Sequence, residues 1–152
     1  MAENPRELLT DWLERVRKAQ IVYTRSATTF EKIHYWLGGT IILLSTLAGV
    51  SLFATMLYLK VASSIASIIA AILAGFQTFY RFSERAEKFR LTGVRYSELR
   101  IELEQKLTFL PQNSELEQYV ESFRERWNKL REDAPPAPQR IWDKINPDQN
   151  HP

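Results

Sequence analysis

The chain has 152 residues, 25% of them charged, and a formal net charge of +2. Acidic and basic residues are interleaved, so no basic stripe favours direct nucleic-acid binding. The lack of cysteine excludes disulfides, thiolate metal sites and cysteine catalysis. These averages are typical of a soluble protein, yet polarity is segregated along the chain, because residues 35–80 contain one charge, Lys60.

Residues 1–34 predict a cytoplasmic amphipathic helix. Asn4 is a suitable N-cap, and Pro5 fits the first helical position. Positions spaced alternately by four and three residues form a heptad seam. The seam consists of Leu9, Leu13, Val16, Gln20, Tyr23, Ala27, Phe30, His34 and Leu37. The apolar stretch that follows begins too late to be the core of a cleaved signal peptide.

Residues 35–80 predict a hairpin of two transmembrane helices, with spans at about 36–59 and 62–80. A bilayer core of ~30 Å needs about 20 helical residues, so the chain must cross twice. We expect the turn near Lys60, within 59–64, because a charge is costly at mid-bilayer. Aromatic and basic residues suit the membrane interfaces; these are Trp36, Lys60, Tyr80 and Arg81. The alternative is a soluble bundle with a very apolar central hairpin.

Basic residues predict the orientation of this hairpin. Basic residues flank the outer ends of the spans, whereas the turn has Lys60 alone; these are Lys18, Arg25 and Lys32 before the first span and Arg81, Arg85, Lys88, Arg90, Arg95 and Arg100 after the second. By the positive-inside rule, both termini are expected in the cytoplasm. The spans contain no Asp, Glu, Arg or His, which argues against an ion-coupled transporter or a voltage sensor.

Small residues cover one side of the second span. Ala62, Ala66, Ala70 and Ala74 form one row, and Ser63, Ser67, Ala71 and Gly75 form the next. Ser45, Ala48 and Gly49 are the matching patch on the first span, whose hydroxyls include Thr40, Thr46, Ser51 and Thr55. One interpretation is close helix packing, within the hairpin or between chains. The other is that Ser63, Ser67 and Gln77 line a pore, which requires an oligomer of four or more chains.

Residues 81–145 predict a cytoplasmic helical region. We expect the second span to continue unbroken into a second heptad seam, which packs on the first as a coiled-coil stalk. Its positions include Phe82, Ala86, Phe89, Gly93, Tyr96, Arg100, Leu103 and Leu107, with Leu99 beside Arg100, and Pro111 ends the helix. Gly93 either allows close packing or serves as a hinge.

The rest of the chain predicts two shorter elements and a flexible tail. Ser114 to Glu117 reads as a capping box that opens another helix. Ala134 to Pro138 ends that helix, and Ile141-Trp142 is expected to fold back as a short helical clasp. Residues 146–152 complete the chain as a flexible tail. The fold class is therefore all-α, a transmembrane hairpin extending into a cytoplasmic bundle.

Motifs for catalysis are lacking. The sequence has no glycine-rich phosphate loop, no nucleophile elbow and no paired histidines. Carboxylates sit beside bases at helical spacing, as Glu84 does with Lys88 and Glu102 with Lys106. We therefore expect no enzyme, with no catalytic residue, cofactor or metal.

Two adjacent spans followed by a set of short motifs resemble the SLATT family. The motifs are Tyr96-Ser-Glu-Leu99, Asp133-Ala134-Pro135-Pro136 and Ile141-Trp142. Phe89 stands where many members carry a histidine. The resemblance implies a bacterial antiviral defence effector that forms a pore or damages the inner membrane, as in abortive infection. It also implies a separate sensor protein, such as a nucleotide cyclase or reverse transcriptase. The competing hypothesis is a non-conducting membrane adaptor that recruits a cytoplasmic partner through its coiled-coil helices.

Overall fold

The computed structural model describes residues 5–50, 56–109 and 113–145, and these residues contain helices and no strand. The predicted all-α class is confirmed. Five helices follow one another in this part of the chain: α1 (Pro5–Val50), α2 (Leu57–Tyr80), α3 (Phe82–Thr108), α4 (Asn113–Asp133) and α5 (Gln139–Ile145). The predicted features at Asn4, Ser51, Thr55, Pro111 and 146–152 lie outside the described residues.

The chain divides into two compact units. The bundle unit comprises Met1–Ala27 and Glu87–Pro152, and the apolar unit comprises Thr28–Ala86. The boundaries fall inside α1 and α3, so each of these helices contributes to both units.

The core of the bundle unit forms where α1, α3 and α4 pack together. Its largest fully buried side chains are Phe123, Leu9, Leu103, Val16, Val22 and Ser26. Trp12 of α1 stacks on Phe123 of α4, with ring centroids 5.7 Å apart. The buried Ser26 hydroxyl donates to the Val22 carbonyl at 2.8 Å, so the one polar member of this set is satisfied.

The predicted clasp is α5. Residues 134–138 contain three prolines, which cannot continue α4. The helix restarts when the backbone N–H groups of Ile141 and Trp142 donate to the Pro138 carbonyl at 2.9 and 3.2 Å. Tyr23 of α1 donates its hydroxyl to the Pro135 carbonyl at 3.2 Å, which ties the α4–α5 connection to α1.

The apolar unit pairs the second half of α1 with α2, and here the predicted turn near Lys60 is wrong. α1 is described to Val50 and α2 begins at Leu57, so Lys60 lies in the first turn of α2. The Lys60 carbonyl accepts the hydroxyls of Ser63 at 2.8 Å and Ser64 at 2.9 Å. The polar residues that suggested a turn therefore bind helix backbone, which makes them compatible with a helix.

The expected continuous helix from the second span into the cytoplasmic region is also wrong. Arg81 separates α2 from α3 and has φ 46° and ψ 48°, in the left-handed region. Its N–H donates to the Gln77 carbonyl at 3.2 Å, and its own carbonyl accepts the N–H of Arg85 at 3.1 Å. The hydrogen bonds run on across a local change of direction, which no Gly or Pro marks in the sequence.

We expect Arg81→Gly to be more stable than Arg81→Ala by about 1 kcal/mol, because glycine adopts left-handed backbone without the cost of a Cβ. Both variants lose the guanidinium, so their difference isolates the backbone. Thermal unfolding of the full chain in detergent, followed by circular dichroism, measures it. A helix that ran unbroken through residue 81 would reverse the order, with alanine more stable by about 1 kcal/mol.

Candidate membrane-facing and helix-packing surfaces

The apolar unit exposes most of its large apolar side chains. Two stretches are long and apolar enough to span a membrane, one in Arg6–Val50 and one in Leu57–Thr108. In the most apolar part of each stretch, 0% and 6% of the residues are buried. The core helix of a soluble protein is mostly buried. Exposed side chains include Ile42, Leu43, Leu47, Val50, Leu57, Ile65, Ile68 and Ile72. A continuous apolar surface of this kind marks a site of contact with lipid or protein.

Aromatic and basic side chains gather at the carboxyl end of α2. The Tyr80 ring lies 4.2 Å from that of Phe76 and 5.5 Å from that of Phe82. The Arg85 guanidinium lies over Tyr80, 5.8 Å from the ring centroid, and Arg81 pairs with Glu84 at 3.1 Å. Glu84 therefore pairs with Arg81 and not with the predicted Lys88.

The other predicted interface residues are exposed. Trp36 on α1 is 78% exposed. Lys60 is exposed at the amino end of α2, some 20 residues from Tyr80. At ~1.5 Å per residue, that separation is about 30 Å, the thickness of a bilayer core.

One small-residue row of α2 faces inward. Ala70 is buried, and Ala66 and Ala74 are half-buried, whereas Ala62 is exposed. Several half-buried positions of α1 keep the heptad spacing: Phe30, His34, Leu37, Ile41, Leu44 and Ala48. Phe30 stacks on Phe82, with ring centroids 6.4 Å apart. Small alanine side chains permit the close approach that stabilises helix pairs in lipid.

Gln77 joins the two helices of the apolar unit. Its side-chain amide nitrogen lies 3.1 Å from His34 Nδ1, so the amide donates to the imidazole. A Cβ built on Gly38 would stand 3.8 Å from the same nitrogen, an ordinary contact. The predicted pore-lining residue Gln77 is thus half-buried against α1, beside a groove of about 560 Å³.

The adjacent small-residue row of α2 faces outward. Ser67, Ala71 and Gly75 are exposed, and Ser63 is half-buried. Nothing lies within 4 Å of a Cβ built on Gly75, so the row is open at this position. On α1, Ser45 and Gly49 are exposed, and Gly49 has the same open space.

Several hydroxyls of the apolar unit donate to their own helices. Thr40 and Thr46 of α1 donate to the carbonyls of Trp36 and Ile42 at 2.9 and 2.8 Å. In α2, Ser67 donates to Ser63 at 2.9 Å. These hydrogen bonds satisfy each hydroxyl proton without water or another chain.

The seam residues of α3 are buried in the bundle unit. Phe89, Tyr96 and Leu99 are each at most 8% exposed. The Tyr23 ring of α1 stacks on Tyr96 at 5.3 Å and lies 6.1 Å from Phe89. Burial raises the pKa of Tyr96 to about 12 and also raises the pKa of Tyr23, so both phenols stay protonated at neutral pH.

Gly93 marks a close approach of α3 to α1. A Cβ at this position would stand 3.1 Å from Thr24 Oγ1 and 3.5 Å from the Thr24 backbone nitrogen. Of the two predicted roles, the geometry favours close packing, because Gly93 lies within an uninterrupted helix.

The sequence did not predict the ion pair between Glu102 and Arg126. Two hydrogen bonds, at 2.8 and 2.7 Å, join the Arg126 guanidinium to the Glu102 carboxylate across α3 and α4. Arg126 thereby lowers the pKa of Glu102. Helical spacing had suggested Lys106, whose ammonium instead lies over the Tyr119 ring at 5.1 Å. Spacing along one helix carries no signal for a partner on another.

No group of three His, Asp or Glu side chains in the described ranges is placed to hold a metal ion. Neither a protein family, nor a curated protein, nor a solved structure matches the chain.

We expect Gly93→Leu to lower the free energy of unfolding by about 1–3 kcal/mol, because the added side chain overpacks the contact with α1. The control is the pair Gly93→Ala and Thr24→Ala. With Thr24 shortened, Gly93→Ala should stabilise by up to about 1 kcal/mol through helix propensity. Thermal unfolding in detergent is measured for Gly93→Leu, Gly93→Ala, Thr24→Ala and the double variant that combines Gly93→Ala with Thr24→Ala. A gain in stability from Gly93→Leu would instead indicate an open hinge.

Proposed function

We propose that this chain is a bacterial inner-membrane effector of antiviral defence. In this proposal both termini are cytoplasmic, and the apolar unit crosses the bilayer as a hairpin. Chains assemble and open a pore, or disrupt the membrane, when a separate sensor protein or ligand triggers them. The resemblance to the SLATT family supports the defence role and a sensor such as a nucleotide cyclase or reverse transcriptase.

The observation that carries the proposal is the outward row formed by Ser67, Ala71 and Gly75. Lipid contact accounts for the exposed isoleucines and leucines of the apolar unit, since burial in a bilayer removes them from water. It does not account for small residues, which give lipid little contact area. In lipid, small residues promote association because two helix backbones can approach closely across them.

An oligomer is also what a conducting path requires. Two helices cannot enclose water, so a pore needs several copies of the hairpin, and we propose four or more. In this proposal neighbouring hairpins meet at the outward row, beside Ser67. Its hydroxyl oxygen can still accept a hydrogen bond from water after donating its proton to Ser63.

A second candidate function is a non-conducting membrane adaptor. The hydroxyls of Thr40, Thr46 and Ser67 are satisfied by their own helices, so no polar group among them needs a water path. In this alternative the hairpin is an anchor, and the bundle unit recruits a cytoplasmic partner.

Cysteine mapping tests the topology, because the natural chain has no cysteine to give background labelling. In intact spheroplasts, we expect a membrane-impermeant maleimide to label Lys60→Cys. We expect Glu132→Cys, exposed on α4, to react only after permeabilisation. Equal labelling of both positions in intact cells would contradict the proposed orientation, and a soluble chain would appear in the cytosolic fraction.

Leucine substitutions test the outward row. We expect Ser67→Leu with Ala71→Leu and Gly75→Leu to lose chemical crosslinking between chains and to abolish dye leakage from expressing cells or proteoliposomes. The matched control is Ile65→Leu with Ile68→Leu and Ile72→Leu, on the exposed bulky side of α2. The control variant should cause as much dye leakage as the natural chain. If the small-row variant no longer leaks while a partner is still recruited, the pore is favoured over the adaptor.

Unchanged leakage in the small-row variant would contradict the proposed interface. Oligomers of the natural chain that stay tight to dye and ions after triggering would leave the adaptor as the better account.

A further inference from the structure

The bundle unit contains a cavity of about 520 Å³ between the first turns of α1, the middle of α3, the end of α4 and α5. All four lining elements belong to that unit. The volume lies in the range of small-molecule sites, about 300–1,000 Å³. The proposed membrane function does not use this space.

Aromatic side chains form one wall of the cavity. Tyr23 and Tyr96 stack with ring centroids 5.3 Å apart and an interplanar angle of 11°. Trp127 of α4 and Trp142 of α5 extend the wall. Tyr23 and Tyr96 are buried against each other, so the half-buried Trp127 and Trp142 are the rings that a planar ligand can contact, with a gain in dispersion and stacking energy.

Cations also line the cavity. Arg15 pairs with Asp11 at 2.9 Å and Lys18 with Glu14 at 2.5 Å, so two cations are balanced by carboxylates of the same helix. Arg131 is the third cation of the cavity, and it has no carboxylate within 4 Å among the described residues. Its charge opposes the effect of burial on the pKa of both Tyr23 and Tyr96, as expected of a guanidinium beside the aromatic wall.

We propose that this cavity binds a small ligand that joins a flat aromatic ring to an anionic group. The ring stacks on the aromatic wall, and Arg131 receives the anion through a charge-assisted, forked hydrogen bond. The site does not depend on the chain forming a pore, so its test stands apart from that of the proposed function.

The test uses the purified full chain in detergent and isothermal titration calorimetry. The probes are AMP and indole-3-acetate, each of which joins a flat ring to one anionic group. Adenosine and inorganic phosphate supply the ring and the anion of AMP separately, and indole and acetate do the same for indole-3-acetate. We expect saturable binding of at least one probe, and for that probe the ring alone or the anion alone should bind at least about tenfold more weakly.

Arg131→Gln should weaken binding of the probe by about tenfold or more, because the variant loses a charge-assisted hydrogen bond to the anion. Arg124→Gln is the matched control, since Arg124 lies on the same helix and pairs with Glu121 at 2.9 Å, away from the cavity. The control should bind like the natural chain. Circular dichroism and thermal unfolding of both variants verify that the fold is retained.

Three results would overturn the inference. One is no saturable binding of either AMP or indole-3-acetate. Another is equal affinity for a probe and for its ring or anion alone. The third is an Arg131→Gln variant that folds and binds as tightly as Arg124→Gln.

Discussion

Polar atoms among apolar neighbours must be satisfied within the chain, and this constraint shapes the apolar unit. Ser63 and Ser64 both donate to the Lys60 carbonyl, so residue types that are common in loops here belong to the start of α2. Gln77 finds its partner in His34 across the helix pair. Because these polar atoms form hydrogen bonds within the chain, they do not require water, and the surface around them can be apolar.

The packing in each unit follows from the size of the side chains on the seams. In the bundle unit the seam is aromatic, and Tyr23 lies between Phe89 and Tyr96. In the apolar unit the seam of α2 is alanine, with Ala70 buried and Ala66 and Ala74 partly covered. Water drives the association of aromatic rings in the first case. In the bilayer that we propose for the apolar unit no such drive exists, so small side chains and close backbones would take its place.

Much of the fold was predictable from the sequence because hydrophobic spacing and apolar length are local signals. The all-α class, the two apolar stretches long enough to span a bilayer and the helix around Ile141-Trp142 all follow from such signals. The errors arose where local signals mislead. Lys60 and two serines resemble a turn, yet their hydrogen bonds belong to a helix. Arg81 adopts a left-handed backbone conformation, which an arginine in the sequence does not predict. The Glu102–Arg126 pair and the cavity beside Arg131 depend on residues brought together from separate helices, which one sequence does not reveal.

Hydroxyl hydrogen bonds within α2 also affect its mechanics. A carbonyl that accepts a side-chain hydroxyl makes a weaker hydrogen bond to the backbone N–H four residues later. Helices that contain such carbonyls bend more readily. Lys60, Ser63 and Ala74 all supply carbonyls of this kind, so both ends of α2 carry them. Side-chain hydroxyls that bond back to a carbonyl one turn earlier favour a bend, so we expect α2 to curve near these carbonyls while it stays helical.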